Sequence, residues 1–222
     1  MKLRVIGILF SFFTFQAAAQ MPGIRNYEFR LGLTAYPTFG TISPQEGESK
    51  GTNFGFSYGL MADFNFSEHY SFNTGLTITT INGKSREINA LPYHTFVSTG
   101  SLIYDLKYKM QYVEIPFILK LKTSKIGDLK WFGQFGLSNG FKIKARQDAK
   151  IATGVLADDR NSAEWTRFYR AGLVIGGGGE LDLGGHTSLM AGLSYNKGLT
   201  NITTSKNKVQ NHFVSLNLGV FF

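Results

Sequence analysis

Six charged residues, Arg30, Asp63, Glu114, Lys120, Arg170 and Glu180, fall on the polar phase of alternating apolar and polar runs, the face turned away from the apolar side chains. Lys142 shares that phase. Charges enclosed in a narrow apolar wall must be paired or hydrogen bonded, so these residues define a candidate lumen charge network. Arg30, Asp63, Lys120 and Glu180 lie near one end of their runs, Glu114 near the middle, and Lys142 and Arg170 toward the other end. Two chemistries suit them: a salt-bridged plug, or a polar path for a small solute or proton. Hydrolysis or acyl transfer would need a histidine beside Ser, Asp or Glu. Of the four histidines, His69 and His186 fall in short turns and His212 on an apolar phase. His94 sits in the longest connection, where a solvated loop residue is the simpler reading. No nucleophile elbow, H-E-x-x-H or carboxylate cluster is present. Gly176 to Gly179 lacks the Lys-Ser/Thr and the helix of a phosphate loop. The chain has no cysteine, which excludes disulfides and thiolate metal sites, and no catalytic residue, cofactor or metal is expected.

The elements that carry these charges read as β-strands. In the closing stretch Asn211 to Phe222, Val214, Leu216, Leu218, Val220 and Phe222 share one face while Ser215, Asn217 and Gly219 share the other, a period of two. Phe222 is an aromatic C-terminal insertion signal in this reading. The run from Phe54 to Phe66 alternates with Gly55, Ser57, Gly59, Met61, Asp63 and Asn65, with aromatics at both ends of its apolar face, as two interfacial girdles would require. Similar runs cover about 27–40, 70–78, 107–122, 130–145, 166–182 and 188–196. Leu102 to Met110 alternates in the opposite phase to Val113 to Leu121, which predicts a β-bulge near Tyr112. Pro116 predicts a second distortion in the same strand. The count is eight. Long polar loops are predicted at Ile42–Thr52, Asn82–Leu106, Arg146–Glu164 and Leu199–Gln210, and short turns follow the second, fourth and sixth strands. The fold class is therefore all-β: an eight-stranded antiparallel transmembrane up-and-down β-barrel with long extracellular loops and short periplasmic turns. Its inner face of Gly, Ser, Asn and Thr reads as too small and polar for a dry core. Trp165 and Tyr169 beside Arg167 and Arg170 form a candidate aromatic and basic rim.

Residues 1–19 read as a signal peptide: Lys2 and Arg4, an apolar core from Val5 to Phe15, and an Ala17-Ala18-Ala19 cleavage site. Residues 20–222 then form one barrel domain. Beyond the signal no apolar run reaches the roughly 20 residues of a membrane helix. The formal charge is +8, and without a basic run or helix-turn-helix pattern no nucleic-acid partner is expected. Outer-membrane lipid and lipopolysaccharide are the expected partners.

Two segments carry a family resemblance. Tyr112-Val113-Glu114-Ile115-Pro116-Phe117-Ile118-Leu119-Lys120 and Tyr195-Asn196-Lys197-Gly198-Leu199-Thr200-Asn201-Ile202 resemble motifs of the PorT-like outer-membrane β-barrels of Bacteroidota. The resemblance makes Tyr112, Glu114, Pro116, Lys120, Gly198 and Asn201 family-motif positions, and it implies a small barrel in a Gram-negative outer membrane. It also implies a non-enzymatic structural or accessory subunit of an envelope or type IX secretion-like export assembly, in contact with other outer-membrane proteins. The alternative is a narrow channel or a barrel binding a small solute or lipid.

Overall fold

The computed structural model describes residues 29–90, 93, 102–205 and 207–222. The segment 1–19 and His94 lie outside them. Among the described residues nine strands form: β1 (Phe29–Pro44), β2 (Gly47–Asn65), β3 (Tyr70–Ile88), β4 (Ile103–Lys122), β5 (Leu129–Ile151), β6 (Gly154–Asn161), β7 (Tyr169–Gly184), β8 (Thr187–Gly198) and β9 (Val209–Phe221). Eight of them close an antiparallel ring, β1-β2-β3-β4-β5-β7-β8-β9 and back to β1, and β6 adds to the far part of β5. Closure satisfies the strands' backbone groups against one another, which a spanning sheet needs where no water can. Short links at 66–69, 123–128 and 185–186 gather at one end, the periplasmic end in the orientation given by the loop lengths.

Within the membrane band the apolar face points outward. Phe54, Phe56, Tyr58, Leu60 and Phe64 on β2 and Phe66 just beyond it are exposed, while Ser57, Met61 and Asp63 are buried. From Phe54 to Phe66, about twelve steps of roughly 3.3 Å along a strand tilted roughly 40° span about 30 Å, the thickness of a bilayer core. Phe29, Phe64, Phe72 and Phe117 line up across β1 to β4 with successive ring centroids 4.9, 6.4 and 6.1 Å apart. They form an aromatic girdle on the periplasmic side.

Beyond the band the strands continue where loops are predicted. The segment 42–52 is a strand hairpin turning at 45–46, residues 82–88 and 103–106 continue β3 and β4, and 146–164 holds the rest of β5, all of β6 and part of a short 3-10 turn. Here the pattern inverts. Ile42, Ile81, Tyr104, Leu106, Tyr108, Met110, Tyr112, Val209 and Phe213 pack inward as an apolar core, while Lys84, Arg86, Asp105, Lys107 and Lys109 lie on the outward phase. Water surrounds this part, so polar side chains face out and apolar ones fill the inside. The expectation of a uniformly small and polar interior therefore fails in the extracellular half.

The same inversion corrects the predicted bulge. β4 alternates without a break from Tyr104 to Lys122; the apolar set changes sides near Tyr112 because the surroundings change, not the backbone. The extra residue lies opposite, on β5: Gln111 pairs with Lys144 and Tyr112 with Lys142, leaving Ile143 unmatched. β5 accordingly buries Ser138 and Gly140 below the bulge and Ala145, Gln147 and Ala149 above it. Pro116 does interrupt pairing, as its missing N–H requires. The β3–β4 ladder stops at Asn73↔Ile118 and resumes at Thr77↔Glu114 in the same register.

Core placement of the extracellular residues is testable. Met110→Ala should destabilise the folded barrel by about 2–5 kcal/mol, whereas Lys107→Ala on the opposite face of the same strand should change stability by less than about 0.5 kcal/mol. Urea unfolding in lipid vesicles measures both.

Candidate functional site

Strand register brings the lumen charges into two clusters. At the periplasmic end Arg30 pairs across β1–β2 with Asp63, and Asp63 across β2–β3 with Asn73. Asp63 is fully buried. Lys120 Nζ donates to both of its oxygens at 3.1 Å, Arg30 Nη2 at 3.2 Å, Lys122 Nζ at 3.4 Å and Asn73 Nδ2 at 2.6 Å. Glu180 receives Arg30 Nη1 and, at 3.2 Å, the Ser188 hydroxyl, and it lies 4.0 Å from Lys122. Three cations thus share two carboxylates. Aromatic faces hold part of the excess positive charge: the Phe221 ring centroid lies 4.5 Å from the Arg30 guanidinium and 5.0 Å from Lys120 Nζ, and the Phe132 ring 5.3 Å from Lys120. Phe221 points inward and Phe222 outward.

The second cluster is centred on Arg170, which is 0% exposed. Its Nη1 donates to Glu114 at 3.0 Å and to Ser138 Oγ at 3.4 Å, its Nε to Asn211 Oδ1 at 2.6 Å, and its Nη2 to Asn196 Oδ1 at 2.7 Å and the Asn211 carbonyl at 3.4 Å. Five acceptors meet the guanidinium's five N–H groups. Gly172 makes the room: a Cβ there would stand 2.2 Å from Asn196 Oδ1 and 2.9 Å from Arg170 Nη1. Arg170 is therefore a lumen residue, not part of an exposed rim, and it is Arg160 whose guanidinium lies over the Trp165 ring, 5.1 Å from its centroid. Lys142 is bound to the Ala163 and Thr166 carbonyls at 2.6 Å each, fastening the 3-10 turn to β5.

Between the clusters lies a cavity of about 80 Å³ lined by Thr34, Asn73, Glu114, Lys120, Asn196 and Asn217, among others. Above Arg170 the apolar core fills the ring. Among the described residues it contains one buried carboxyl, Glu87, which accepts hydrogen bonds from Ser85 at 2.6 Å and Tyr108 at 2.8 Å. Burial holds this carboxyl above the usual carboxylate range, against the smaller opposing effect of those two bonds.

The family-motif positions Tyr112, Glu114, Pro116 and Lys120 all lie on the inward phase of β4. Asn201 Oδ1 accepts the Thr203 and Val209 N–H groups at 3.1 and 2.9 Å, pinning the loop before β9. Gly198 lets the Asn211 backbone approach, since a Cβ there would meet the Asn211 carbonyl at 2.2 Å. Sequence reasoning missed Lys122, although its spacing of two from Lys120 signals the same face. It also missed Asn196 and Asn211 as partners of Arg170, and Glu87 as a buried carboxyl. His69 Nδ1 lies 3.1 Å from the Lys122 carbonyl, and His212 Nδ1 accepts the Gly198 N–H. Among the described residues no three His, Cys, Asp or Glu side chains converge as a metal site.

Arg170→Ala leaves Glu114 buried without its cation and should cost about 3–5 kcal/mol of stability, with Glu114→Gln/Arg170→Met recovering part of it. Glu87 carries the opposite pH signature. A carboxyl whose folded-state pKa is raised binds its proton more tightly in the native state, so stability falls as pH rises from the unfolded pKa through the folded one. Glu87→Gln should flatten that decline and raise stability at neutral pH, read from unfolding midpoints between pH 4 and 8.

The family described as outer membrane protein beta-barrel domain matches residues 16–204. A search of curated proteins gives no significant match. Among solved structures, Neisserial surface protein A is 16% identical, with 86% of this chain and 97% of that one covered and a TM-score of 0.47. OprG from Pseudomonas aeruginosa is 13% identical, covering 87% and 95%, with a TM-score of 0.46. A major outer membrane protein from Thermus thermophilus is 10% identical, covering 86% and 98%, with a TM-score of 0.35. With most of its length matched by the family and its strands closed into a ring of eight, the chain belongs to the outer-membrane β-barrel domain family and resides in the outer membrane.

Proposed function

We propose that this barrel is non-enzymatic and non-conducting. It serves as a structural or accessory subunit of an envelope or protein-export assembly, of the type IX secretion kind to which the PorT-like resemblance points. Lipopolysaccharide and larger outer-membrane proteins are its partners in this reading. The observation that carries the proposal is the obstruction of the lumen at three levels. The two buried ion clusters and the apolar core stand in series along the barrel axis. An eight-stranded ring is just wide enough to be filled by side chains, and a solute would have to break desolvated ion pairs to pass. What the protein offers to partners is then its outer surface, which carries aromatic girdles in the membrane and a tall sheet wall above it.

One observation favours a second reading, a binder or narrow channel for a small solute: the polar cavity of about 80 Å³ between the clusters. A few waters or a very small solute would fit it.

Two measurements separate these readings. In planar bilayers the wild-type protein should give no conductance steps; steps that disappear in Glu114→Ala or Arg170→Ala would replace the proposal with the channel reading. Extraction of the tagged protein from its native outer membrane in mild detergent should bring down a defined, stoichiometric set of envelope proteins. Recovery of the barrel alone would remove the subunit role.

A further inference from the structure

Above the membrane, the outward face of the wall formed by β2 to β5 is basic. Lys84 on β3 is paired directly with Lys107 on β4, and Lys107 with Asp148 on β5. Like charges placed opposite one another across a ladder are destabilising. The nearby carboxylates do not relieve them. Asp148 accepts Lys109 Nζ at 2.9 Å and the Asp159 N–H at 2.8 Å. Asp105 is held by both Arg86 Nε at 2.8 Å and Nη2 at 3.0 Å, and Glu48 lies 3.2 Å from Lys50. Among the described residues Lys84, Lys107 and Lys150 have no carboxylate within ion-pair distance. These side chains border a surface depression of about 480 Å³ lined by Lys50, Lys84, Arg86, Lys107 and Lys150 and by Asp105 and Asp148, with Glu48 beside Lys50. With Glu48 included, the local charge is +2.

Height identifies the ligand. Ile78 pairs with Val113, and Val113 with Phe141, at the upper edge of the apolar band. Lys84 and Lys107 each lie six residues farther out, which is about 15 Å above the hydrocarbon for strands tilted roughly 40°. The headgroup layer is only about 5–8 Å thick on each side. Membrane phosphates therefore lie below the lysines, and the strand positions at headgroup depth on β3 and β4 carry the uncharged Thr80 and Gln111.

We infer that this wall is a binding site for an anionic polysaccharide, a chain carrying repeated sulfate, phosphate or carboxylate groups that reaches the barrel from above the membrane. Its charges lie along the Lys50, Lys84, Lys107 and Lys150 side chains, and its binding relieves the Lys84–Lys107 repulsion. The inference rests on the basic wall and stands independently of the accessory-subunit role.

The test uses the full-length protein in nanodiscs of neutral phosphatidylcholine, with labelled dextran sulfate as probe and uncharged dextran as control. Dextran sulfate should bind and dextran should not, and binding should weaken steeply with added salt as counterion release requires. Lys84→Glu/Lys107→Glu should weaken dextran sulfate binding by about tenfold or more. Lys84→Gln/Lys107→Gln should weaken it less while leaving the unfolding midpoint unchanged or raised, which separates lost binding from lost folding. Lys125→Glu in a periplasmic turn should leave it unchanged. Unchanged binding in the double Glu variant, or an equal loss in Lys125→Glu, overturns the inference. So does an equal loss toward vesicles that present lipid phosphates without long sugar chains, because that places the ligand at the headgroups.

Discussion

Within hydrocarbon every backbone N–H and C=O must find a partner in the protein, and nearly everything else in this structure follows from that constraint. The strands meet it by closing a ring of eight, in which β9 returns to β1 and β4 joins β5. A ring of that size leaves space for side chains and little more. Any charge on the inner face is then desolvated and has to be matched in place. The match is close around Arg170, where five donors meet five acceptors. It is uneven around Asp63, where three cations share two carboxylates and aromatic faces take up part of the remainder.

The second organising fact is that a single chain is built for two solvents. Along β4 the inward set runs from Tyr104 through Met110 and Tyr112 to Glu114 and Lys120 without a break in alternation. In lipid the polar members lie inside; in water the apolar members do. The hydrophobic effect thus acts in opposite senses on the two halves of one strand. The extracellular half behaves like a small soluble barrel set on a membrane one, with Ile42, Ile81, Leu106 and Val209 as its core.

This double character decides what the sequence could reveal. The ring, the gathering of the short turns at one end and the inward phase of Arg30, Asp63, Glu114, Lys120, Arg170 and Glu180 were legible because a period of two leaves no choice of face once the outer solvent is known. The extracellular strands read as loops because their outward residues are polar, and polarity alone does not distinguish a solvated strand from a loop. The phase change near Tyr112 was legible, but its cause was not. Alternation reports which face is apolar and is silent on whether the backbone or the surroundings has switched. The bulge at Ile143 was hidden for the complementary reason, since the change of solvent and the extra residue fall at nearly the same height on β5. Asn196 and Asn211 were missed as partners of Arg170 because they come from β8 and β9, and only the register of the closed ring brings them together.

The abrupt inversion also fixes how the molecule sits in its bilayer. Between Phe54 and Phe66 the outer face of β2 alternates through large apolar side chains, while on β4 charge begins at Lys109, four residues above Val113. Raising the barrel would expose the periplasmic phenylalanine girdle to water, and lowering it would drag the lysine rows into hydrocarbon. A closed, side-chain-filled cylinder cannot shorten by tilting its strands independently, as a bundle of separate helices can. Hydrophobic mismatch must therefore be absorbed by the lipid, which thins or thickens around the protein. The barrel sets the local thickness of its membrane, and neighbouring proteins of similar apolar height would be favoured beside it.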